Sequence, residues 1–344
     1  MSQMTTWNPD EYMEYLYQQH RVSFGDTLNI DRSFFVKREL ERALGGFPED
    51  RPDLDPHVLQ EVDRATYTEQ RVSYVTDHKL VMPAYVLIPK SLDETKPAVI
   101  AWHGHGLGSR EIVGLSHNDM FRDESAVDPN CFAVQLVNRG FIVLAPEVIG
   151  FGDRRLMRDM RKDPQKASSC VSLSGQLLML GRTLAGLRVY EAMRSVDYLL
   201  TRNDIDFGRI GCMGFSSGGL IAAMSVALDH RIQATVLSAF ASTLHGTLWS
   251  ITHCIDNYLP AILSIADLPE LIGLIAPRGL FVEAGTGDPL FPISSVEDAI
   301  KQLSSTFKNH DAAHKFDFDL FPGSHEVCGR RAYDWLETQL MFIQ

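Results

Sequence analysis

The sequence predicts an α/β fold in which a mostly parallel sheet is flanked by helices on both faces. Short apolar, β-rich runs alternate with segments of helical periodicity through most of the 344 residues. The clearest helix lies between residues 185 and 200, where apolar residues recur at spacings of three and four. Strands that alternate with helices favour parallel pairing through crossover connections. With 45% hydrophobic and 22% charged residues, the chain can bury a large core.

The first 65 residues (1–65) are predicted to form an N-terminal helical extension to a main domain of residues 66–344. A first helix is expected after Asn8 and Pro9, because asparagine is a good N-cap and proline suits the first helical position. A second helix is expected to end at Gly45-Gly46. The extension carries no catalytic signature, so it is predicted to pack on the core or on another subunit.

Eight strands are predicted in the main domain, from apolar and β-branched runs bounded by turn residues. The first two are expected to pair antiparallel, and the others form the rest of the sheet. The predicted strands cover residues 70–75, 80–89, 97–102, 141–146, 209–213, 234–239, 279–284 and 315–321.

A Gly-x-Ser-x-Gly sequence, Gly214–Gly218, stands between the strand at 209–213 and an apolar helical run at 220–228. In such a nucleophile elbow, a sharp turn holds the serine hydroxyl clear of the sheet, at the N-terminus of a helix. The turn needs glycine on both sides of the serine, because a β-carbon there would crowd the neighbouring backbone. Ser216 is therefore the predicted nucleophile.

A His-Gly turn, His103–Gly106, follows the strand at 97–102. Such a turn supplies a backbone N–H to the oxyanion hole, beside the N–H of the residue after the nucleophile. The sequence thus predicts Ser217 and His105 as the two donors, with Gly106 as the nearest alternative to His105. The competing interpretation is that His103 and His105 bind a metal. It is disfavoured because no Asp-His or Cys completes a ligand set nearby in the sequence.

The predicted acid is Asp288, which lies on a loop rich in glycine and proline after the strand at 279–284. Catalytic groups of open parallel sheets collect at the carboxyl ends of the strands. The alternative is a turn aspartate that only caps its own backbone. The predicted base is His325, on the loop after the last strand. The order Ser216, Asp288, His325 is that of α/β-hydrolases and differs from the orders of two familiar protease classes.

Composition restricts the partners. A formal net charge of −12 argues against nucleic acid and against anionic membrane surfaces. The five cysteines form no Cys-x-x-Cys pair, so neither a zinc ribbon nor a disulfide framework is predicted. Residues 1–7 have neither the basic nor the apolar run of a signal peptide, and the longest apolar tract, 258–277, is interrupted by charges and proline. A cytoplasmic protein is the simplest expectation.

Three long connections leave the predicted carboxyl edge of the sheet, at residues 107–130, 150–175 and 240–277. Long excursions at this edge are usually lids or specificity loops, and the alternative is packing against a neighbouring subunit. For the third connection both alternatives remain open. Glu147 follows the strand at 141–146 on the same edge, and it is expected to hold a loop through a hydrogen bond rather than to contact substrate.

The chain resembles the serine α/β-hydrolases of the dienelactone-hydrolase-like group, near the acetyl xylan esterases. The resemblance covers about residues 66–344. It rests on His103–Gly106, Ala145–Glu147, Gly150–Asp153, the Ser216 elbow, the Gly285–Pro292 loop and His325. It implies an α/β-hydrolase fold and a preference for short-acyl, acetyl-type esters. The triad chemistry predicted from the residues needs neither metal nor organic cofactor.

Three positions depart from the patterns of these relatives. Dienelactone hydrolases have cysteine where this chain has Ser216. The acetyl xylan and cephalosporin deacetylases carry glutamine at the position of Ser217 and tend to have tyrosine at that of His105. Sugar deacetylation is therefore not fixed by the resemblance.

Ester hydrolysis through an acyl-enzyme is the function that the sequence favours. Activity is expected to be indifferent to chelators, the substrate to be a small-molecule ester, and a homo-oligomer is left open. A peptidase of the prolyl-oligopeptidase type would need a propeller that 65 residues cannot form. A nucleotide-binding protein would need a complete phosphate loop, which the glycine patterns lack. Thioester and lactone hydrolysis use the same machinery and stay open, whereas a non-catalytic binding protein is disfavoured because all three triad residues are present.

Overall fold

A computed structural model describes residues 7–21, 30–90, 95–116, 130–163 and 168–341. Its strands are β1 (His57–Asp63), β2 (Tyr67–Asp77), β3 (Leu80–Pro89), β4 (Lys96–Trp102), β5 (Ile142–Pro146), β6 (Ile205–Phe215), β7 (Ala234–Ser238), β8 (Gly279–Gly285) and β9 (Phe316–Phe321). Its α-helices are α1 (Asp10–His20), α2 (Ile30–Leu44), α3 (Ser109–Ile112), α4 (Phe132–Val137), α5 (Met157–Lys162), α6 (Cys170–Met179), α7 (Leu184–Leu199), α8 (Ser217–Leu228), α9 (Leu268–Gly273), α10 (Ile293–Asn309) and α11 (Ala332–Met341).

The strands form one sheet in the order β1-β2-β3-β5-β4-β6-β7-β8-β9. In this order, the first three pairs, which join β1, β2, β3 and β5, are antiparallel. The other five pairs, which join β5, β4, β6, β7, β8 and β9, are parallel. The predicted α/β fold with a mostly parallel sheet is therefore confirmed. All parallel strands point their carboxyl ends to one edge, which is where the predicted catalytic residues stand.

Apolar layers cover both faces of the sheet. On β4, Ala98, Ile100 and Trp102 join the layer under α2, α7, α8, α9 and α10, whereas Val99 and Ala101 join the layer under α4 and α11. This alternation explains why the central strands have nearly continuous apolar sequences, since a parallel strand is buried on both sides.

The structure corrects one part of the predicted helical extension. Residues 57–63 form the edge strand β1, paired antiparallel with β2, and the helices before the sheet end at Leu44. The sequence of β1 is polar and its side chains are largely exposed, so it lacks the apolar alternation by which a strand is recognised. Pairing with β2 alone makes this segment a strand. Whether residues 1–65 and 66–344 form separate units stays a prediction.

Parts of two predicted connections, residues 117–129 and 164–167, lie outside the described residues, as do residues 1–6, on which the expectation about a signal peptide largely rests. Within the described ranges, no single helix is both long and apolar enough to cross a bilayer. The bent pair α6 and α7 passes that test together, by length and composition only.

Candidate active site

Ser216 occupies the sharp turn between β6 and α8, with φ 55° and ψ −121°. Positive φ is rare for a residue with a side chain, and strained backbone of this kind clusters at functional sites. A β-carbon on Gly214 would overlap the carbonyl of Gly218, and one on Gly218 would overlap that of Trp102. The glycines of the motif are thus required by close backbone contacts, as the sequence predicted.

His325 and Asp288 meet Ser216 in one chain of hydrogen bonds. His325 Nε2 lies 2.8 Å from Ser216 Oγ, and His325 Nδ1 lies 2.7 Å from Asp288 Oδ2. The Asp288 side chain is fully buried, whereas that of His325 is 21% exposed. The three residues predicted from the sequence are therefore brought together, at the carboxyl ends of β6, β8 and β9.

Asp288 makes the contacts expected for both of the roles that the sequence offered as alternatives. Its Oδ1 accepts hydrogen bonds from the backbone N–H groups of Leu290 (2.8 Å) and Phe291 (3.3 Å). Its Oδ2 faces the imidazole of His325. Because Oδ1 is fixed by its own loop, the carboxylate is held in the orientation that presents Oδ2 to the histidine.

Two phenyl rings hold the imidazole in place. The ring of Phe291 stacks on His325 with an interplanar angle of 7° and a centroid distance of 5.8 Å. The ring of Phe215 lies 5.0 Å away at a tilt of 40°. His325 therefore has little freedom to rotate away from Ser216.

The His-Gly turn lies directly against the elbow. A β-carbon on Gly104 would be 3.2 Å from the β-carbon of Ser216. Ser217 is the first residue of α8, where backbone N–H groups have no acceptor within the helix. The backbone donors predicted at Ser217 and His105 thus belong to two segments that meet at the serine.

The side chain of His103 contacts backbone groups through both ring nitrogens. Its Nε2 accepts a hydrogen bond from the backbone N–H of Val148 at 3.0 Å, and its Nδ1 lies 2.8 Å from the carbonyl oxygen of Gly104. Both ring nitrogens of His103 are thus occupied by contacts within the protein. The competing interpretation of His103 and His105 as a metal-binding pair is not supported at His103.

Glu147 is fully buried and holds the start of α3. Its Oε1 accepts a hydrogen bond from the backbone N–H of Ser109 at 3.0 Å, and its Oε2 accepts one from the Ser109 hydroxyl at 2.8 Å. A β-carbon on Gly108 or Gly152 would overlap the carboxylate. These contacts agree with the expected loop-holding role, since Glu147 joins the start of α3 to the segment after β5.

Glu283 anchors the loop behind the histidine. At the end of β8, it accepts hydrogen bonds from the Ser238 hydroxyl at 2.6 Å and from the backbone N–H groups of Cys328 (3.3 Å) and Gly329 (2.9 Å). Burial raises the pKa of this carboxyl above its usual value, against these hydrogen bonds. Glu283 therefore positions the His325 loop without touching the imidazole.

The third long connection lies partly over the site. Within residues 240–277, the Thr247 hydroxyl lies 2.8 Å from His253 Nε2 and donates to the carbonyl oxygen of Leu290. Burial, and to a lesser degree the neighbouring imidazole of His325, lower the pKa of His253. The connection is thus fastened to the Asp288 loop. From the other side, Tyr17 of α1 packs its ring on His245 and Trp249.

An apolar cavity of about 370 Å³ separates α1 from this connection. Leu16, Leu244 and Leu259 are among its lining residues, and Ser216, Asp288 and His325 are not. It is a gap between packed segments, distinct from the position of the nucleophile.

The sequence did not identify a polar cluster around His105. His105 Nε2 lies 3.3 Å from Asp256 Oδ2, and the buried guanidinium of Arg188 reaches the same carboxylate at 2.5 Å and Cys170 Sγ at 3.2 Å. Cys254 completes the cluster. No local signal links these residues, because they come from the turn after β4, from α6 and α7, and from the 240–277 connection.

These charges shift the titration of the cluster. Burial lowers the pKa of His105, but Asp256 and Cys170 outweigh it and raise the pKa to about 9. A hydrogen bond with Cys254 and the positive charges of His105 and Arg188 lower the pKa of Cys170 to about 5. His105 and Arg188 hold the pKa of Asp256 well below its usual range despite burial.

Comparison with known proteins agrees with this architecture. Residues 36–320 match the Abhydrolase family. The matched range includes Ser216 and Asp288 and ends before His325. A relative of Bacillus subtilis (strain 168), described as "Putative hydrolase YtaP", is 29% identical over 286 residues, which are 80% of this chain and 88% of that protein.

Solved structures show the same fold. One of Bacteroides fragilis NCTC 9343, described as a "putative acetyl xylan esterase", superposes with a TM-score of 0.77 at 16% identity, covering 96% of this chain and 90% of the other. The glucuronoyl esterase from Solibacter usitatus superposes with a TM-score of 0.64 at 16% identity, covering 90% and 92%. At this identity the likeness establishes the fold alone.

Proposed function

This chain belongs to the Abhydrolase family, and from that premise we propose that it is a serine carboxylic-ester hydrolase. The observation that carries the proposal is the hydrogen-bonded chain from Asp288 through His325 to Ser216, with the serine on a strained elbow. A nucleophile, a base and a group that orients the base are the three parts that acyl transfer needs. A non-catalytic binding protein would have no use for this alignment.

In the proposed reaction, Ser216 Oγ attacks the ester carbonyl while His325 Nε2 takes its proton. His325 then donates this proton to the leaving alcohol, which leaves an acyl-enzyme on Ser216. Water, deprotonated by the same nitrogen, attacks the acyl carbon and releases the acid. Asp288 keeps the proton of the neutral imidazole on Nδ1 and stabilises the imidazolium that forms.

We assign the oxyanion to the backbone N–H groups of Ser217 and His105. The close approach of Gly104 to Ser216 supports this assignment, because it places the His-Gly turn beside Ser216 Cβ, the atom that carries the serine oxygen. The N-terminus of α8 adds the favourable end of a helix dipole. Each donor would be worth about 3 kcal/mol in the barrier. Gly106 remains the nearest alternative to His105.

Short-acyl, acetyl-type esters are the proposed substrates. The resemblance to acetyl xylan esterases in sequence motifs and the superposition on a structure of that description support this choice. The 240–277 connection, fastened to the Asp288 loop through Thr247, supports a small acyl pocket. The net charge of −12 supports the further proposal that neither nucleic acid nor an anionic membrane surface is a partner. A cytoplasmic location stays a prediction.

The test is a panel of p-nitrophenyl esters from acetyl to decanoyl, run beside acetylated sugars, together with labelling by a serine-directed phosphonate. We expect turnover to be fastest for acetyl and the label to map to Ser216. Faster turnover of octanoyl than of acetyl would reject the short-acyl proposal but leave the esterase. Turnover of thioesters, lactones or peptides with no turnover of any ester would reject the esterase itself. A label on Ser217 would reject the elbow assignment.

A further inference from the structure

Two segments far apart in the sequence converge on the side chain of His105. Cys170 opens α6 in the connection after β5, and Cys254 and Asp256 lie in the 240–277 connection. The ligand-type atoms of His105, Cys170, Cys254 and Asp256 all lie within 4.8 Å of one another. Cys170 and Asp256 are buried, and Cys254 is half-buried. Four such donors from three distant parts of the chain meet here, outside the Ser216–His325–Asp288 chain.

The types of donor suit one class of ion. Two thiolates, an imidazole and a carboxylate form a mixed sulfur, nitrogen and oxygen set, which favours Zn²⁺ over the hard cations Mg²⁺ and Ca²⁺. Tetrahedral bond lengths of about 2.0–2.3 Å place neighbouring donor atoms about 3.5 Å apart. Donors that already lie within 4.8 Å of one another need to close in only slightly. Four protein ligands leave no open position, as in structural zinc sites.

Neighbouring side chains orient the four donor residues through hydrogen bonds, as the residues around a bound metal's ligands do. Arg188 donates to Asp256 Oδ2 and to Cys170 Sγ, and two more of its N–H groups donate to the carbonyl oxygen of Ile149 at 2.9 and 3.2 Å. Asn257 donates to Asp256 Oδ1 at 3.0 Å. Outer hydrogen bonds of this kind fix ligand orientation and tune affinity.

The charges also balance around a divalent ion. Two thiolates and the Asp256 carboxylate carry three negative charges, and Zn²⁺ with the buried Arg188 guanidinium carries three positive charges. Because Cys170, Asp256 and Arg188 are buried, a net charge of zero avoids the cost of an uncompensated buried charge.

We propose that His105, Cys170, Cys254 and Asp256 form a structural Zn²⁺ site that ties α6 and the 240–277 connection to the His-Gly turn. The proposal does not depend on the ester chemistry, and no step of that chemistry passes through the metal. The ion would fix the side chain of His105, whose backbone N–H is the proposed oxyanion donor. It would thereby set the position of α6 and of residues 254–256 relative to the His-Gly turn.

The experiment measures metal content rather than activity. The full chain is purified without a metal-affinity step, dialysed against metal-free buffer and analysed by mass spectrometry of the elements. We expect close to one zinc per chain. After exchange for Co²⁺, thiolate-to-cobalt charge-transfer bands and the intense visible bands of tetrahedral cobalt should appear.

The matched variants are Cys254→Ala and Cys328→Ala, since both thiols are half-buried and only Cys254 belongs to the cluster. Competition with a chromophoric chelator should give a zinc dissociation constant at least ~100-fold weaker for Cys254→Ala, because outer partners alone change metal affinity ~10–100-fold. Cys328→Ala should match the wild type. Equal loss of zinc in both variants would overturn the proposal.

The wild type alone gives a second measurement if Cys254→Ala does not fold. Thiols are counted in denaturant with EDTA and without reductant. All five cysteines should react if Cys170 and Cys254 bind zinc as thiolates. Three reactive thiols would instead indicate a disulfide between these two, and five thiols without zinc would indicate a metal-free ionic cluster. Both results overturn the proposal.

Discussion

Gly285 packs so closely on Ser324 that a β-carbon on the glycine would overlap the carbonyl oxygen of the serine. Gly285 ends β8 and leads into the Asp288 loop, whereas Ser324 immediately precedes His325. A hydrogen bond from Gly287 N–H to the carbonyl oxygen of Gly323, at 2.8 Å, joins the same two loops. The distance between acid and base is thus set by backbone packing.

Replacing Gly285 by alanine should misalign the acid and the base. The new methyl group must push the His325 loop away from the Asp288 loop, because a carbonyl of the backbone cannot swing aside as a side chain can. A displacement of about 1 Å at a catalytic group can cost ~100-fold in rate, so we expect a kcat loss of that order. Steady-state kinetics with p-nitrophenyl acetate measures it.

Gly175→Ala is the matched control, since a β-carbon there meets nothing within 4 Å. This variant should keep its kcat. A Gly285→Ala variant with normal kcat would show that the two loops tolerate separation.

Ser216→Ala should abolish hydrolysis of p-nitrophenyl acetate without unfolding the chain. The variant removes the attacking oxygen and one hydrogen bond to His325, while the elbow keeps its glycines. Circular dichroism and thermal melting should resemble those of the wild type. Retention of the wild-type rate in Ser216→Ala would mean that another residue is the nucleophile. Ser217→Ala is the control, and it should retain activity because its proposed contribution comes from the backbone.

Asp288→Asn should lower kcat far more than it changes KM. The backbone N–H groups of Leu290 and Phe291 require an oxygen, so the amide NH₂ of asparagine must face His325 Nδ1. Nδ1 then accepts a hydrogen bond, and the proton moves to Nε2, which can no longer take one from Ser216. The same change in a serine protease of another fold costs ~10⁴ in kcat, and we expect the same direction here.

Glu283→Gln is the control for the acid, because Glu283 lies on the strand that leads to Asp288 and does not touch the imidazole. Its kcat should fall far less than that of Asp288→Asn, since the change weakens the hydrogen bonds that hold the His325 loop but leaves the tautomer of His325 unchanged. If kcat fell strongly in Glu283→Gln and stayed nearly normal in Asp288→Asn, Glu283 would be the acid instead of Asp288.

Glu283→Gln should also change how stability depends on pH. Burial raises the pKa of Glu283 in the folded state above its value in the unfolded chain. The folded state therefore favours the protonated carboxyl, and the stability it contributes is full below the unfolded pKa and is lost as the pH rises through the folded pKa. Glutamine does not titrate. The stability of the wild type relative to Glu283→Gln should thus fall as the pH rises above the unfolded pKa.

Denaturant unfolding of both proteins across this pH range measures the difference. A constant difference at every pH would show that Glu283 titrates as in the unfolded chain.

Most residues of the candidate site could be predicted from local sequence patterns. The elbow, the His-Gly turn, and the chain order of Ser216, Asp288 and His325 were all visible, because each stands directly after a strand with a recognisable apolar pattern. The second oxyanion donor could be narrowed only to His105 or Gly106. The edge strand β1 was missed, because its polar residues adopt a strand only through pairing with β2.

By itself, the sequence determined the fold class and the three residues of the proposed triad. Strand periodicity, glycine turns and chain order are local properties, and parallel strands must carry their loops to one edge of the sheet. The tertiary structure decided that Asp288 serves its own loop and His325 at once. It also brought Cys170, Cys254 and Asp256 to His105, although no cysteine stands near this histidine in the sequence. Contacts between segments so far apart depend on how helices and long connections pack over the whole sheet, and no local pattern encodes that packing.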